Sequence, residues 1–389
     1  MVPLFPTRNA FCRERERERA GKNQEERREK ARMRCLASIR CLSLLLLLSL
    51  FLSASFAANF TCNVGPNATC RGLAGYVVPN ATTYGRIRSL FQVDTLASLL
   101  GANNKSLSTP ATQAVPVNST VFVPFPCRCA NGTGKSDGVP VYTVTANDSG
   151  LDAIARHTFD QFVTYQEIAE ANKDKITNVD IITPGEELYI PLPCSCDPVQ
   201  GKEVAHLAHI VAAGSSVSEI AEEFGTDVNT LLQLNGNFEP SKLQAGQILD
   251  VPLTVCSSSI VSTSLDYDSM RLPRNSYALT AKDCVLCSCN ADTYQLDCKL
   301  NQSRSSACPA ERCAGDRQIG NASTSGCEIT TCDYAGYTNS SANGFDILAA
   351  ITTNKTMCNN SPPAGMGLKV SKWAGLLILL HMALGSCVL

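Results

Sequence analysis

The sequence has little tryptophan and little histidine. Of its 389 residues, one is tryptophan and four are histidine, and aromatic residues together make up 6%. The tryptophan, Trp373, lies in an apolar segment that ends the chain. The rest of the chain therefore lacks the indole faces on which many lectins stack sugars, so a carbohydrate site there would have to use other groups.

The sequence also lacks any arrangement of residues typical of an enzyme. The histidines before the C-terminal segment are His157, His206 and His209. None lies in a nucleophile motif, and His206-x-x-His209 lacks the glutamate and the spacing of a metalloprotease helix. Glycosidases need two carboxyl groups that face one cleft, whereas adjacent acids such as Glu222 and Glu223 point in different directions. We therefore predict that the protein is not an enzyme and uses no cofactor or metal. Its histidines are expected to be packed in the core or solvated.

The sequence also has no excess of basic residues. Residues 58–360 contain 29 Asp and Glu against 19 Lys and Arg, a net charge near −10. Nucleic acids and anionic surfaces are bound by basic patches, so this charge argues against both as partners. A neutral ligand fits this part of the chain better.

Residues 1–57 have the composition of a charged extension followed by a secretory signal peptide. The Arg/Glu run of residues 13–30 has almost no apolar content to bury, which favours a solvated tail. From Met33, the predicted true start, basic residues precede the apolar stretch Leu42–Leu52 and the small-x-small site Ser55–Ala57. That order is typical of a cleaved secretory signal.

The last residues are typical of a glycosylphosphatidylinositol (GPI) attachment signal. Residues Trp373–Leu389 are apolar and contain no Asp, Glu, Lys or Arg. Small residues and a short spacer precede them, which is the order of such a signal. We predict a GPI-attachment propeptide over 364–389, with attachment at Asn360 or Ala364. The alternative is a single tail-anchoring helix.

Cysteines and sequons agree with secretion. Removal of both ends leaves 16 of the 20 cysteines, an even number that allows complete pairing in an oxidising compartment. Asn-x-Ser/Thr sequons are dense between the two ends, as expected for a glycosylated surface protein. The predicted sites are Asn59, Asn67, Asn80, Asn104, Asn118, Asn131, Asn147, Asn301, Asn321, Asn339, Asn354 and Asn359.

Three related segments follow one another between the two ends. Each contains an asparagine that is followed, after a loop, by alternating apolar residues and a proline; these asparagines are Asn103, Asn172 and Asn235. A CxC pair follows the first two copies, at Cys127/Cys129 and Cys194/Cys196, and Cys256 follows the third. The first copy is the most degenerate.

The residue spacing of the second copy predicts a β-α-α-β unit. Val141–Val144 and Glu187–Pro191 have the pattern of short strands. Ile154 and Phe159 lie about one helical turn apart, and Ile168 belongs to a second short apolar helix. We expect the two strands to pair antiparallel beneath the helices, with disulfides at the borders to stabilise so small a core.

The second and third copies resemble LysM modules. The resemblance rests on Tyr142-x-Val144, Leu151-x-x-Ile154-Ala155, Asn172 and Gly185-x-x-Leu188-x-Ile190-Pro191, and on Val211-x-x-Gly214, Ile220-Ala221, Phe224-Gly225-Thr226, Leu231, Leu234-Asn235 and Gly246-Gln247-x-Leu249-x-Val251-Pro252. With a secretory signal before them and an attachment signal after them, the chain resembles the plant LysM GPI-anchored receptors. That resemblance implies an α+β fold with three small disulfide-laced modules over 62–129, 140–196 and 205–256.

The same resemblance implies how the CxC pairs are connected. In receptors of that family they lace the modules together, which here would join Cys62 to Cys129, Cys70 to Cys196 and Cys127 to Cys194. Sequence alone permits 15 connectivities for six cysteines.

A cysteine-rich, loop-rich C-terminal module is predicted over 257–337, followed by a linker over 338–363. In a cytosolic protein the spacing Cys284-x-x-Cys287-x-Cys289 would suggest zinc. In a secreted chain disulfides are the better interpretation.

The family resemblance places a shallow sugar groove between the loop after the first strand of a module and the loop before its second strand. Backbone groups there would bind N-acetyl groups, and small apolar side chains would contact the acetyl methyls. Gly, Asn, Asp and Ser also favour loops without any ligand, so turn chemistry is the competing interpretation. The candidates are Thr145, Ala146, Asp148, Ser149, Leu151, Lys175, Ile176 and Asn178 in the second module and Gly214, Ser215, Asn237 and Phe238 in the third.

The sequon at Asn147 conflicts with the second groove, because it lies in a nominated loop. A glycan there would crowd the groove. If the site is occupied, the third or the first module is expected to bind instead.

The sequence therefore predicts a plasma-membrane receptor, on the extracellular face, for N-acetylglucosamine-containing glycans, either chitin oligosaccharides or bacterial peptidoglycan, in plant innate immunity. Because a GPI anchor reaches only the outer leaflet, a transmembrane signalling partner is expected, and the family resemblance implies a LysM receptor kinase. Shallow grooves favour multivalent binding through a homo- or heterodimer. The alternatives are a wall-adhesion protein and a wall hydrolase that LysM modules target to its substrate.

Overall fold

The computed structural model describes residues 60–355, apart from positions 177, 180, 302–307, 310–311, 315–316 and 341–343. The predicted secretory signal, the sequons Asn59 and Asn359 and the predicted GPI site lie outside these residues. Among the described residues, no helix is long and apolar enough to span a membrane. The chain divides into an N-terminal body, up to Val255 and including Arg271–Ser276, and a C-terminal body, Cys256–Met270 with the residues from Tyr277 onwards.

The N-terminal body runs three times through a strand, two short helices and a strand. Its strands are β1 (Thr69–Val77), β2 (Thr82–Thr83), β3 (Ala114–Val115), β4 (Thr120–Ala130), β5 (Thr133–Ser136), β6 (Val141–Thr143), β7 (Glu187–Tyr189), β8 (Pro193–Cys194), β9 (Val204–Ile210) and β10 (Ile248–Thr254). Its helices are α1 (Tyr84–Leu90), α2 (Leu96–Ala102), α3 (Leu151–Ala153), which continues as a π-helical turn Ile154–Thr158, α4 (Tyr165–Ala171), α5 (Val217–Phe224) and α6 (Val228–Leu234). We call β1-α1-α2-β4 the first repeat, β6-α3-α4-β7 the second and β9-α5-α6-β10 the third.

Side-chain caps begin most of these short helices. Thr164 and Ser216 form capping boxes with Glu167 and Glu219, so each pair satisfies backbone N–H groups that the first helical turn leaves unpaired. Gly225 ends α5 in a left-handed conformation, with φ of 69°. Helices this short are marginal in isolation, so the caps and the apolar faces that they bury hold them in place.

Strands of the first and third repeats form one sheet. Its order is β10-β9-β1-β4-β5-β8, with antiparallel pairs except for the parallel contact of β1 with β9 at Leu73–Leu207. The second repeat has its own antiparallel pair, β6 with β7. The predicted antiparallel strands are present in each repeat, whereas the shared sheet was not predicted.

Three buried disulfides tie the repeats together. They join Cys62 to Cys129, Cys70 to Cys196 and Cys127 to Cys194, the same pairs that the family resemblance implies. We call these six residues the disulfide cluster. Through it, strands β1, β4 and β8 and the segment that leads into β9 are covalently linked.

The C-terminal body is richer in strands than the predicted loop-rich module. Its strands are β11 (Tyr277–Thr280), β12 (Val285–Cys289), β13 (Leu296–Leu300), β14 (Arg312–Cys313), β15 (Arg317–Gln318), β16 (Ala322–Ser325), β17 (Glu328–Ser340) and β18 (Gly344–Lys355). Disulfides within it are Cys256–Cys289, Cys284–Cys308, Cys287–Cys298 and Cys313–Cys332, and Cys327 is also disulfide-bonded.

The predicted linker is wrong over its first part, because residues 338–340 and 344–355 belong to the paired strands β17 and β18. The Ser/Thr/Asn content that suggested a linker includes β-branched threonines, which suit exposed strand positions. Apolar residues on the other face, among them Tyr334 and Ile347, are buried. The remaining predicted domain boundaries stay predictions.

Candidate functional site

Strand register brings the two candidate loops of each repeat to the same end of its strand pair. In the second repeat Thr143, which ends β6, lies opposite Glu187, which begins β7. In the third repeat Ile210 lies opposite Ile248 in the same way. The loop that leaves the first strand therefore faces the loop that enters the second.

A buried valine joins the two loops in the second and in the third repeat. Val144 donates to Glu186 O at 2.8 Å and accepts from Gly185 N at 2.8 Å. Val211 makes the equivalent pair with Gln247 and Gly246, at 2.9 and 2.8 Å. Both valines are buried, so the floor of each loop pair is fixed by main-chain bonds and an apolar anchor.

An asparagine at the end of each second helix connects it to the second strand. Asn172 Nδ2 donates to Ile168 O and Tyr189 O, and its Oδ1 accepts from Tyr189 N, at 2.7–2.8 Å. Asn103 and Asn235 make the same three contacts in the first and third repeats. We call these the asparagine bridges. The carbonyl of Asn172 also accepts from Lys175 N and Ile176 N, so the bridge fixes the start of the second candidate loop.

In the first loop of the second repeat, the carboxylate of Asp148 accepts hydrogen bonds from the same repeat and so stabilises the loop. Its carboxylate accepts from Thr145 N at 2.6 Å, Thr145 Oγ1 at 2.9 Å and the Tyr142 hydroxyl at 3.0 Å. Burial and this hydrogen bond to Asp148 raise the pKa of Tyr142. Leu151 is 1% exposed and belongs to the core, so its side chain is not available to a ligand. Ala146 and Ser149 remain exposed at the tip.

The second loop of that repeat is partly apolar. Lys175 Nζ donates to Glu187 O at 2.8 Å, which ties the loop to β7. Ile176 is half-buried and Asn178 is exposed. Val179 and Ile181, which are 41% and 67% exposed, were not among the residues predicted from the sequence. The apolar pair Ile181-Ile182, directly before the turn at Pro184-Gly185, was the signal that could have identified this surface.

The third repeat presents a comparable pair of loops. Gly214 has φ of 88°, a conformation that favours glycine, and Ser215 N closes the turn onto Ala212 O at 3.2 Å. Asn237 is exposed with φ of 55°. Phe238 is half-buried and packs against the core of the repeat. The nominated residues thus lie at one end of the repeat, with Phe238 partly committed to packing.

The first repeat differs, because its own chain fills the space between the two loops. Strand β2 pairs with β3 through Thr82–Val115 and Thr83–Ala114. Gly85 N also donates to Ala111 O at 2.8 Å, and a Cβ at position 85 would lie only 2.9 Å from that oxygen. Within residues 60–355 as described, neither of the other repeats has such a strand pair.

The first two repeats carry sequons, whereas the third carries none. Those at Asn67, Asn80, Asn104, Asn118, Asn131 and Asn147 are all exposed. Between Asn147 and Asn301 the sequence has no sequon, so β9 to β10 carry none. Asn301 is only half-buried and its Nδ2 donates to Asp283 O at 2.9 Å, whereas Asn321, Asn339 and Asn354 are exposed.

The two histidines of the third repeat, His206 and His209, lie within β9. His206 is buried, its Nδ1 is 2.7 Å from Asp250 Oδ1, and its Nε2 is 2.7 Å from Asp197 O. His209 packs on Phe224, and burial lowers its pKa to about 4. A His–Asp pair can activate a nucleophile, but both nitrogens of His206 already have partners and the ring is inaccessible. The pair therefore has a structural role.

The grouped cysteines of the described residues offer no metal site. The two clusters with suitable sulfur spacing, Cys62/Cys129/Cys196 and Cys70/Cys127/Cys196, belong to the disulfide cluster. Sulfur in a disulfide is not the thiolate that binds zinc.

Comparison with known proteins agrees with this geometry. Residues 142–191 and 209–252 match the LysM domain family, and these ranges contain the second and third loop pairs. The chain is 46% identical over 330 residues to the chitin elicitor-binding protein of Oryza sativa subsp. japonica, which covers 84% of this chain and 91% of that protein. It is 44% identical over 294 residues to LysM domain-containing GPI-anchored protein 2 of Arabidopsis thaliana, covering 74% and 81%.

A solved receptor-like kinase ectodomain is also similar to part of the chain. It has 19% sequence identity and a TM-score of 0.40, and covers 48% of this chain and 92% of that structure.

Proposed function

Because the chain belongs to the family of LysM domain-containing GPI-anchored proteins, we propose that it is a plant cell-surface receptor for oligosaccharides that contain N-acetylglucosamine. The observation that carries this proposal is the pair of facing loops in the second repeat, within the residues that match the LysM domain. The equivalent loops of the third repeat are a second potential groove.

The chemistry of these loops suits a neutral, amphipathic sugar. The N-acetyl group has an amide that can bind exposed backbone groups and a methyl that needs an apolar contact. In the second repeat, Ala146 and Ser149 are exposed on the first loop. Ile176, Val179 and Ile181 supply apolar surface on the second loop. Small apolar contacts of this kind bury little area, so affinity for one sugar would be weak and multivalency would strengthen it.

Within this proposal the first repeat is a third, LysM-like module with a scaffold role. The β2–β3 pair occupies the space between its loops, and the sequons Asn80 and Asn118 flank them. Its strands β1 and β4 instead continue the sheet of the third repeat. The second and third repeats are left as the binding modules, and a glycan on Asn147 would favour the third.

Attachment and signalling form a separate part of the proposal. We expect a cleaved secretory signal, a GPI anchor on the extracellular face of the plasma membrane and a LysM receptor kinase as signalling partner in innate immunity. The names of the relatives, a chitin elicitor-binding protein and a GPI-anchored protein, support the ligand class and the anchor. Ligand-bridged homo- or heterodimers would supply the multivalency.

A binding assay that also detects cleavage separates the main alternatives. The purified protein would be incubated with a labelled chitin hexamer and, separately, with labelled peptidoglycan fragments. We expect saturable binding of at least one ligand, with the ligand recovered intact. Cleavage without added enzyme would identify a wall hydrolase, and no binding of either ligand would contradict the proposal.

A genetic test separates a receptor from an adhesion protein. Deletion of the gene should abolish defence responses to the ligand that binds. Normal responses together with weakened wall attachment would favour the adhesion protein.

A further inference from the structure

His206 has an unusual position for a histidine. Its side chain is completely inaccessible, and that of Asp250 is 4% exposed. Nδ1 lies 2.7 and 3.0 Å from the two carboxylate oxygens of Asp250, and Nε2 lies 2.7 Å from the carbonyl oxygen of Asp197. Both ring nitrogens therefore face oxygen atoms at hydrogen-bond distance.

Both oxygen partners are acceptors, which fixes the charge of the ring. A carbonyl oxygen can only accept, and so can an ionised carboxylate. Neutral imidazole has one N–H donor, whereas imidazolium has two. Only the cation satisfies both contacts, and in a buried site an unsatisfied contact would be costly.

The electrostatic surroundings point in the same direction. Burial alone would lower the pKa of His206, but the charge of Asp250 and the hydrogen bonds to Asp250 and Asp197 outweigh it and raise the pKa above its ordinary value. Charged groups near this segment include the Asp197 carboxylate, whose charge also raises the pKa of His206, and the pair of Arg271 with Glu203, 2.7 Å apart. Arg271 also donates to Cys196 O at 3.4 Å.

His206 connects the third repeat to the disulfide cluster. Asp197 directly follows Cys196, and its carboxylate accepts from Asn63 N at 2.6 Å and Val64 N at 3.0 Å. The contact of His206 with the Asp197 carbonyl thus joins β9 to the segment that carries the Cys70–Cys196 disulfide. On the other side, Asp250 is held on β10 by the Asn235 bridge.

We propose that His206 is a buried cation that holds the third repeat on the Asp197 segment, and that loss of its proton at alkaline pH releases this contact. On deprotonation one ring nitrogen loses its hydrogen and presents a lone pair to an oxygen atom. The remaining N–H stays with the carboxylate of Asp250, because a charged acceptor forms the stronger bond. The contact to the Asp197 carbonyl is the one that is lost.

The direction of the pH effect follows from linkage. A histidine whose folded pKa exceeds its unfolded value, about 6.5, stabilises the fold fully below that pH and loses this contribution as pH rises through the folded pKa. Each unit of difference corresponds to about a tenfold change in the opening equilibrium. The contact between His206 and the Asp197 carbonyl is therefore formed at acid pH and weakened at alkaline pH.

The test uses the whole purified protein with any free thiols alkylated, so that disulfide exchange does not contribute. Hydrogen exchange of residues 197–210, corrected for intrinsic rates, is followed from pH 5.5 to 9. We expect protection to fall at least about tenfold above neutral pH in the unmodified protein. His206→Gln should be less protected at pH 6 and show no such fall. His209→Gln, on the same strand and neutral throughout this range, should keep it.

The ¹⁵N resonances of the His206 ring provide a measurement that needs no variant. At pH 6.5 both nitrogens should carry protons, with chemical shifts of imidazolium. One unprotonated nitrogen at that pH, protection that stays level to pH 9, or an alkaline fall that persists in His206→Gln would each overturn the proposal. If His206→Gln does not fold, the ring spectrum and the Asp250→Asn variant, which should also lack the fall, decide the question.

Discussion

Asn172 and Tyr189 exchange two hydrogen bonds: Asn172 Nδ2 donates to Tyr189 O, and Tyr189 N donates to Asn172 Oδ1, each at 2.8 Å. Asn172 is 2% exposed, and its own carbonyl holds the start of the loop that contains Lys175 and Ile176. One residue thus connects a helix end and a strand through its side chain and a candidate binding loop through its backbone carbonyl.

Replacement of Asn172 by alanine should therefore destabilise the protein. The change removes three hydrogen bonds and leaves the backbone N–H and C=O of Tyr189 without their partner, whereas Ile168 O keeps the backbone N–H of residue 172; we expect a cost of about 3 kcal/mol. Urea unfolding would measure the loss. Asn229→Ala, on an exposed face of α6, is the matched control and should change stability by less than about 0.5 kcal/mol. Equal stability of both variants would contradict the role of the bridge.

Removal of the sequon at Asn147 should increase sugar binding by the second repeat. The residue is exposed in the loop that faces Ile176, so a glycan would compete with ligand for the same end of the repeat. Chitin-hexamer affinity would be compared between glycosylated wild type and Asn147→Gln, both made in plant cells. Asn131→Gln, at the β4–β5 turn, controls for general effects of a lost glycan. Equal affinity of wild type and Asn147→Gln, with the Asn147 glycan present in wild type, would argue against competition.

Asp160 should also make stability depend on pH, with the opposite sign to a carboxylate whose pKa is lowered by folding. Its Oδ2 accepts from Val77 N at 3.1 Å, and burial raises its pKa to about 6, although this hydrogen bond lowers it in part. Because the folded pKa exceeds the unfolded value of about 3.9, the folded state binds this proton more tightly, and stability falls as pH rises from 4 through 6. After allowance for solvent screening the loss is about 1 kcal/mol.

Asp160→Asn should remove that slope. Thermal unfolding between pH 4 and 7 would measure it, with Asp152→Asn, an exposed acid in the neighbouring helix, as the control. A slope unchanged in Asp160→Asn would assign the effect to another group.

The disulfide cluster should contribute more stability than any single polar contact. Cys127–Cys194 closes a loop of 67 residues between the first and second repeats, so its loss frees a large part of the unfolded chain. We expect the double replacement Cys127→Ala and Cys194→Ala to cost about 2–5 kcal/mol. Denaturant unfolding checks this. Cys287→Ala with Cys298→Ala, which opens a loop of 11 residues, should cost less.

Local pattern was enough to predict the βααβ order of the second and third repeats, because alternation, helical spacing and turn residues all lie within a few positions of one another. Regular spacing also identified Asn172 and Asn235. The bridges themselves connect each asparagine to a strand residue 15 to 19 positions away and are visible only in the folded structure. The contact of His206 with Asp250 spans 44 positions and left no local signal.

The same limit explains the failures. The parallel contact of β1 with β9 joins strands more than a hundred residues apart, and the disulfide pairs came from family resemblance rather than from spacing. The β17–β18 hairpin was taken for a linker because threonine suits both loops and exposed strands. Leu151 was nominated for a loop, but its side chain is part of the core.

The most direct test of the central claim measures chitin-hexamer binding to the purified protein after Ile176→Asp and Phe238→Asp, singly and together. A charge on the apolar side of a groove would oppose contact with an acetyl methyl, so the double variant should bind at least about tenfold more weakly, a change of about 1.4 kcal/mol. Leu107→Asp, which places the same charge on an exposed apolar residue of the first repeat, is the control and should bind as wild type does. Wild-type affinity in the double variant would contradict the assignment of the site.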